Sequence, residues 1–142
     1  NIKSRNIIKK LEKLKNTISF AVVRNPIDKF VSGYNFLYPC LPTANITTLL
    51  KKPINNDYIY YHLFLSQTDS LLLDNRLIPN NIIYFNNLNQ KLTDFFKKHG
   101  YDLIFKNLLN QSLMRITVDR LNYSSTKAIK NKFCEDFKNF DF

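Results

Sequence analysis

The chain has only two glycines, Gly33 and Gly100, two cysteines, one methionine and no tryptophan in 142 residues. The shortage of glycine is the most informative of these. A loop that cradles phosphate on its backbone N–H groups needs glycine where the chain approaches the ligand, commonly followed by Lys and then Ser or Thr. Gly33 falls inside a helix-period stretch and Gly100 at the end of another, so neither belongs to a Gly-Lys-Ser/Thr loop. Cys40 and Cys134 stand alone, with no CxxC spacing and no histidine pair nearby. That pattern argues against zinc, and no metal is expected. The two read either as one disulfide or as two thiols, and buried thiols are the expected state for cysteines this sparse. No run of about 18 apolar residues offers a membrane span, and no basic-then-apolar opening reads as a secretory signal. The first residue is Asn1 rather than Met, so a targeting element or domain upstream is compatible with both absences. Internal repeats and low-complexity tracts are also missing.

What is present is a globular composition, 44% apolar and 14% aromatic, enough for one domain with its own core. Twenty-one Lys and Arg against eleven Asp and Glu give a formal charge of +10, spread along the whole chain. Such a diffuse excess favours polyanions, among them nucleic acid, nucleotides and acidic glycans, through long-range steering. Heavy use of Asn, Lys and Ile is equally what an AT-rich genome imposes, so charge alone does not choose. Three glycosylation sequons, at Asn45, Asn110 and Asn122, are about what chance gives in so Asn-rich a chain and carry no conclusion.

Hydrophobic periodicity orders the chain. Ser4 caps a predicted helix through Lys15, with Ile7, Ile8, Leu11 and Leu14 on one face. Thr17 to Val23 is a short β-rich run, read as a central, buried, parallel strand. Asn25 then caps a helix with Pro26 at its first position, and Ile27, Phe30, Val31, Tyr34 and Leu37 keep helical spacing until Pro39 and Pro42 end it. A short helix over Asn45 to Lys52 and an aromatic one from Asp57 to Ser66 follow. Asp74-Asn75 reads as a turn, Ile82 to Phe85 as a second strand, Leu88 to His99 as an amphipathic helix closed by Gly100, and Ser125 to Phe140 as a last helix.

The segment FAVVRNPIDKFVSGYNF, residues 20–36, concentrates the chemistry. A strand that turns directly into a helix delivers Arg24 at its carboxyl end, where the helix start offers free N–H groups and partial positive charge. Lys29 and Ser32 lie one and two turns beyond Asn25, away from the apolar stripe. A planar guanidinium, a hydroxyl and helix-start amides together suit a phosphate monoester. The competing reading gives Arg24 a capping role on a neighbouring helix and Ser32 no role beyond its size.

VVRNPIDKFVSGY resembles the 3′-phosphate-binding segment of sulfotransferases, Arg-x-Pro-x-x-Arg/Lys-x-x-Ser-x-Tyr, in particular that of the carbohydrate family with its Golgi-type, bacterial and viral members. Arg24, Pro26, Lys29, Ser32 and Tyr34 all fall in place. Weaker similarities keep their order downstream. HLFLSQTDSLLL resembles a His-x-x-x-Gln-Thr/Ser-Asp segment, with His62 and Gln67 one residue further apart. IIYFNNLNQKLTDFF resembles Gly-Arg-Phe-Glu-Asn-Leu, with Tyr84 and Asn86 in place of the basic and acidic residues. LLNQS and FCEDFKNFDF resemble the closing segments, so that the similarity covers about residues 17–142.

The resemblance implies an α/β, P-loop-like sulfotransferase domain over residues 1–142, a parallel sheet flanked by helices and lacking its N-terminal part. It implies transfer of a sulfuryl group from 3′-phosphoadenosine 5′-phosphosulfate to a hydroxyl, most plausibly on a carbohydrate. Arg24, Ser32 and Lys29 are the implied cofactor-binding residues. The compartment it implies is the Golgi lumen for a eukaryotic protein and the cytoplasm for a bacterial or viral one. Since the family's phosphosulfate loop precedes the matched segment, the expectation is that Asn1 begins partway through the domain, with natural loss of the loop as the alternative. These residues alone are then expected to be inactive. His62 is the one base candidate, but its aromatic helix suggests packing, and His99 reads as a helix cap, so no catalytic residue is assigned. The rival from another class is a non-catalytic basic module for nucleic acid or acidic glycan, with Tyr58, Tyr60 and Tyr61 beside Lys51 and Lys52. Without a nucleic-acid motif, no nucleic-acid partner is expected.

Overall fold

The computed structural model describes residues 17–41, 45–52, 56–74, 76–105 and 116–142. The helix read over Ser4 to Lys15, the prolines Pro42 and Pro53 and the LLNQS segment lie outside these. The described residues form a mixed α/β structure in which helices flank a small parallel sheet. Strand β1 (Phe20–Val23) pairs in parallel with β4 (Asn81–Tyr84), from Phe20 opposite Asn81 to Val23 opposite Tyr84. The crossover that parallel pairing requires carries helix α1 (Pro26–Leu37), α2 (Ile46–Lys51), α3 (Asp57–Ile59), α4 (Gln67–Leu71) and a two-residue antiparallel hairpin of β2 (Leu72–Leu73) and β3 (Arg76–Leu77). Helices α5 (Leu88–Lys98), α6 (Tyr123–Lys132) and α7 (Cys134–Asn139) follow β4.

The first strand is shorter than its apolar run, and among the described residues it is paired on one side only and part-exposed, where a central, buried strand was expected. Among the described residues its only strand neighbour is β4, and Phe20 and Val22 each remain 38% exposed. Phe20 instead meets α5, with its ring 5.1 Å from Phe95 and 5.7 Å from Phe96. Helix α5 ends as read, at Gly100 with φ +84°, where the Tyr101 N–H reaches back to the Phe96 carbonyl at 2.9 Å.

The core lies around α1. Asn25 Oδ1 accepts from the Ile27 N–H at 3.0 Å, and Pro26, with no N–H to satisfy, occupies the first helical position. The apolar spacing then buries Phe30, Tyr34 and Leu37 against Leu49, Leu63, Ile129 and Phe133. Gly33 faces the neighbouring segment so closely that a Cβ there would sit 2.8 Å from the His62 carbonyl oxygen. That segment is the predicted aromatic helix, but only its first turn is α. From Tyr60 to Phe64 it widens into a π-turn closed by Leu65 N–H to the Tyr60 carbonyl at 3.0 Å.

Two further expectations need correction. The single helix read over Ser125 to Phe140 is two helices, broken at Phe133 (φ −112°, ψ 29°), whose buried ring lies tilted 6.2 Å from that of Phe30. The cysteines are free, as one reading had it, but both are exposed rather than buried: Cys40 closes the turn Tyr38–Cys40 after α1, and Cys134 opens α7 on its solvent side. No helix among the described residues is long and apolar enough to cross a membrane.

Candidate functional site

Strand β1 ends at Val23, and Arg24 and Asn25 make the whole connection to α1. The connection opens at the carboxyl ends of both parallel strands, the place where open α/β sheets take ligands. A groove of about 650 Å³ lies there. Its lining draws on three segments far apart in the chain: Arg24, Asn25 and Asp28; Tyr84, Phe85, Asn86 and Lys91; and Asp141 with Phe142.

Arg24 is the principal cation of this groove. Its guanidinium carbon lies 4.5 Å from the centre of the Phe85 ring, a cation–π contact. Its Nε is buried and has no hydrogen-bond partner, an unmet donor in a group that presents a fork suited to an oxyanion. Burial works to lower its pKa and the Asp28 carboxylate works against that, while an arginine stays protonated either way. Lys91 donates to Asn86 Oδ1 at 2.7 Å and lies 5.6 Å from the Tyr84 ring. Tyr84 in turn donates to the Phe140 carbonyl at 3.1 Å and meets Phe142 edge-on. Against these two cations stand Asp28 and Asp141, so the formal charge of the lining is balanced and Asp28 competes with any anion for Arg24.

Lys29 and Ser32 do not join Arg24 at the groove. Lys29 turns inward. Its ammonium donates to the Leu65 carbonyl at 2.8 Å and lies 5.5 Å from the Phe133 ring, with burial lowering its pKa and Asp136 partly restoring it. Ser32 is half-buried one turn beyond Asp28, and its hydroxyl has no partner among the described residues.

Protein-family models, curated proteins and solved structures give no match to this chain.

Sequence reasoning missed the residues that hold Arg24. Gln67 Oε1 accepts from the Arg24 N–H at 2.7 Å, and Gln67 Nε2 donates to the Arg24 carbonyl at 2.8 Å. The two carboxylate oxygens of Asp136 accept from the Gln67 and Thr68 N–H groups at 2.9 and 2.7 Å. The signal was partial, since Gln67 and Asp136 both sit in segments that resemble the sulfotransferase pattern, but nothing local says that they meet. His62 lies apart from the groove, exposed and packed edge-on to Tyr58 at 4.5 Å and against Phe36 at 5.6 Å. His99 follows α5 and touches Phe95 at 4.8 Å. Among the described residues no cluster of His, Cys, Asp and Glu has the makings of a metal site.

Proposed function

We propose that these residues form the 3′-phosphate-binding part of a P-loop-like sulfotransferase domain, an enzyme that takes 3′-phosphoadenosine 5′-phosphosulfate and sulfates a hydroxyl, most plausibly of a carbohydrate. One observation carries the reading. Arg24, from the specific Arg-x-Pro-x-x-Lys-x-x-Ser-x-Tyr segment, stands at a strand-to-helix turn with a buried, unpaired Nε, in a groove built from the same downstream segments that resemble the family. In this reading Arg24 holds the 3′-phosphate, the aromatic side chains of Tyr84, Phe85 and Phe142 give the nucleoside an apolar wall, and Ser32, which does not line the groove, makes no direct contact with the phosphate. Lys29 is reassigned from the phosphate to the interior, since its ammonium is already engaged. The acidic pair Asp28 and Asp141 counts against a general polyanion surface, which favours this reading over the basic module.

The test is calorimetric. Adenosine 3′,5′-bisphosphate is expected to bind more tightly than 5′-AMP, and Arg24→Ala to cost about 1.5–3 kcal/mol of that affinity, as losing a hydrogen bond to a charged group does. Ser32→Ala, outside the groove, is expected to bind like the parent. Equal affinity for the two nucleotides on folded protein, or an Arg24→Ala variant that binds like the parent, refutes the reading.

A further inference from the structure

A guanidinium reads an oxyanion well only if the backbone behind it is fixed, and the β1–β4 register stops at Val23 opposite Tyr84, one residue before Arg24. The Val23 carbonyl still accepts from the Phe85 N–H at 2.8 Å, but neither the Arg24 N–H nor the Arg24 carbonyl bonds to that side. One side chain holds both. The Gln67 carboxamide takes the Arg24 N–H and serves the Arg24 carbonyl, the same pair of bonds that a strand neighbour would make. Gln67 is itself 7% exposed and rigidly seated, because its own N–H and that of Thr68 end on the fully buried carboxylate of Asp136. Ser66 Oγ takes the next N–H of the turn, from Asp69, at 2.9 Å, so all three first donors of α4 are satisfied.

This is more order than a five-residue helix at the surface needs for its own sake. Burying a carboxylate is costly unless it is fully bonded, and here its bonds do one further thing: they hold the backbone from which the residue that grips Arg24 projects. We propose that Gln67 and Asp136 are positioning residues for Arg24, Asp136 fixing Gln67 and Gln67 fixing the strand end, so that together they set how tightly the groove takes a phosphate. The proposal rests on the nucleotide reading above.

Binding of adenosine 3′,5′-bisphosphate is measured by calorimetry, well below the melting temperature of each protein, for the parent chain, Arg24→Ala, Gln67→Met, Asp136→Asn and the Arg24→Ala/Gln67→Met pair. Gln67→Met, close in shape and unable to make either bond, is expected to lose about tenfold in affinity, the lower end of what losing a group that orients a ligating side chain costs. Asp136→Asn keeps one acceptor oxygen and loses less, in the same direction. Neither loss is expected once Arg24 is alanine, so the double variant binds like Arg24→Ala alone. A purely structural role lowers the melting temperature without producing that non-additivity. Losses that add in the double variant, or parent-like binding by Gln67→Met while Arg24→Ala is weakened, overturn the positioning roles and leave the groove reading intact. Parent protein binding no better than Arg24→Ala refutes the groove reading and the positioning roles with it. If Gln67→Met does not fold, Asp136→Asn with and without Arg24→Ala completes the same cycle.

Discussion

Replacing Gly33 by alanine sets two effects of opposite sign against each other. Gly33 lies mid-way along α1 with helical geometry, so helix propensity alone makes Gly33→Ala stabilising by about 1 kcal/mol. The added Cβ, however, lands 2.8 Å from the His62 carbonyl oxygen and 3.2 Å from Leu63 Cδ2. The leucine can give a little, but the carbonyl belongs to the π-turn, and Leu63 and Phe64 beside it are buried in the core. Relief therefore requires moving backbone, and overpacking of that kind costs up to about 3 kcal/mol. The expected balance is a loss of about 2 kcal/mol, a fall in Tm of roughly 6 °C for a chain of this length. Thermal unfolding followed by far-ultraviolet circular dichroism, checked against urea midpoints, measures it. A Gly33→Ala protein that melts at or above the parent temperature refutes the close approach. The same displacement travels along the chain to Leu65, which accepts from Lys29, and to Gln67, so weakened nucleotide affinity is expected with it.

Lys29 supplies a pH test. Its folded pKa is lowered by burial, with Asp136 opposing, so between that lowered value and the ordinary one the unfolded chain holds more protons and stability rises with pH. The difference in unfolding free energy between parent and Lys29→Met is therefore expected to shift in favour of the parent as pH climbs through that window, and a flat difference refutes it. Tyr34, whose pKa burial and then Tyr38 raise, pulls the other way but equally in both proteins. The 142 residues by themselves are expected to transfer no sulfuryl group, since they contain no Gly-Lys-Ser/Thr loop and one lost donor of that kind already costs about a hundredfold. Release of adenosine 3′,5′-bisphosphate from the sulfate donor, followed chromatographically with a hydroxyl acceptor present, overturns this if it exceeds the uncatalysed rate.

Sequence was most legible where structure is decided within a few residues. The Asn25 cap, Pro26 at the first helical position, the α1 stripe and the left-handed Gly100 all follow from local chemistry, and all stand as read. The turn at Asp74 does too, with φ +50°. What could not be read depends on partners far along the chain. Nothing near Lys29 says that its ammonium turns to Leu65 rather than to Arg24, because helical spacing gives the face and not the neighbour. No Gly or Pro marks the break at Phe133, which owes its conformation to the pocket beside Phe30. Widening of the Tyr60–Phe64 turn has no sequence signature either. For the site, the strand-turn-helix that bears Arg24 was visible, while the balance of charge around it was not, since Asp141 arrives from the far end of the chain.

The bonds from Asp136 to Gln67, and from Gln67 to Arg24, also impose an order in time. A chain leaving the ribosome presents Arg24 early and Gln67 after it, but the carboxylate that seats Gln67 comes much later, only six residues before Phe142. Until Asp136 has emerged and α7 has docked, Gln67 lacks the carboxylate that seats its backbone, and the Arg24 backbone lacks a fixed partner on the side away from β4. If the groove takes a nucleotide as proposed, a chain not yet extended through Asp136 would bind it weakly, and any event that peels α7 away from α4 would return the folded protein to that same weak state.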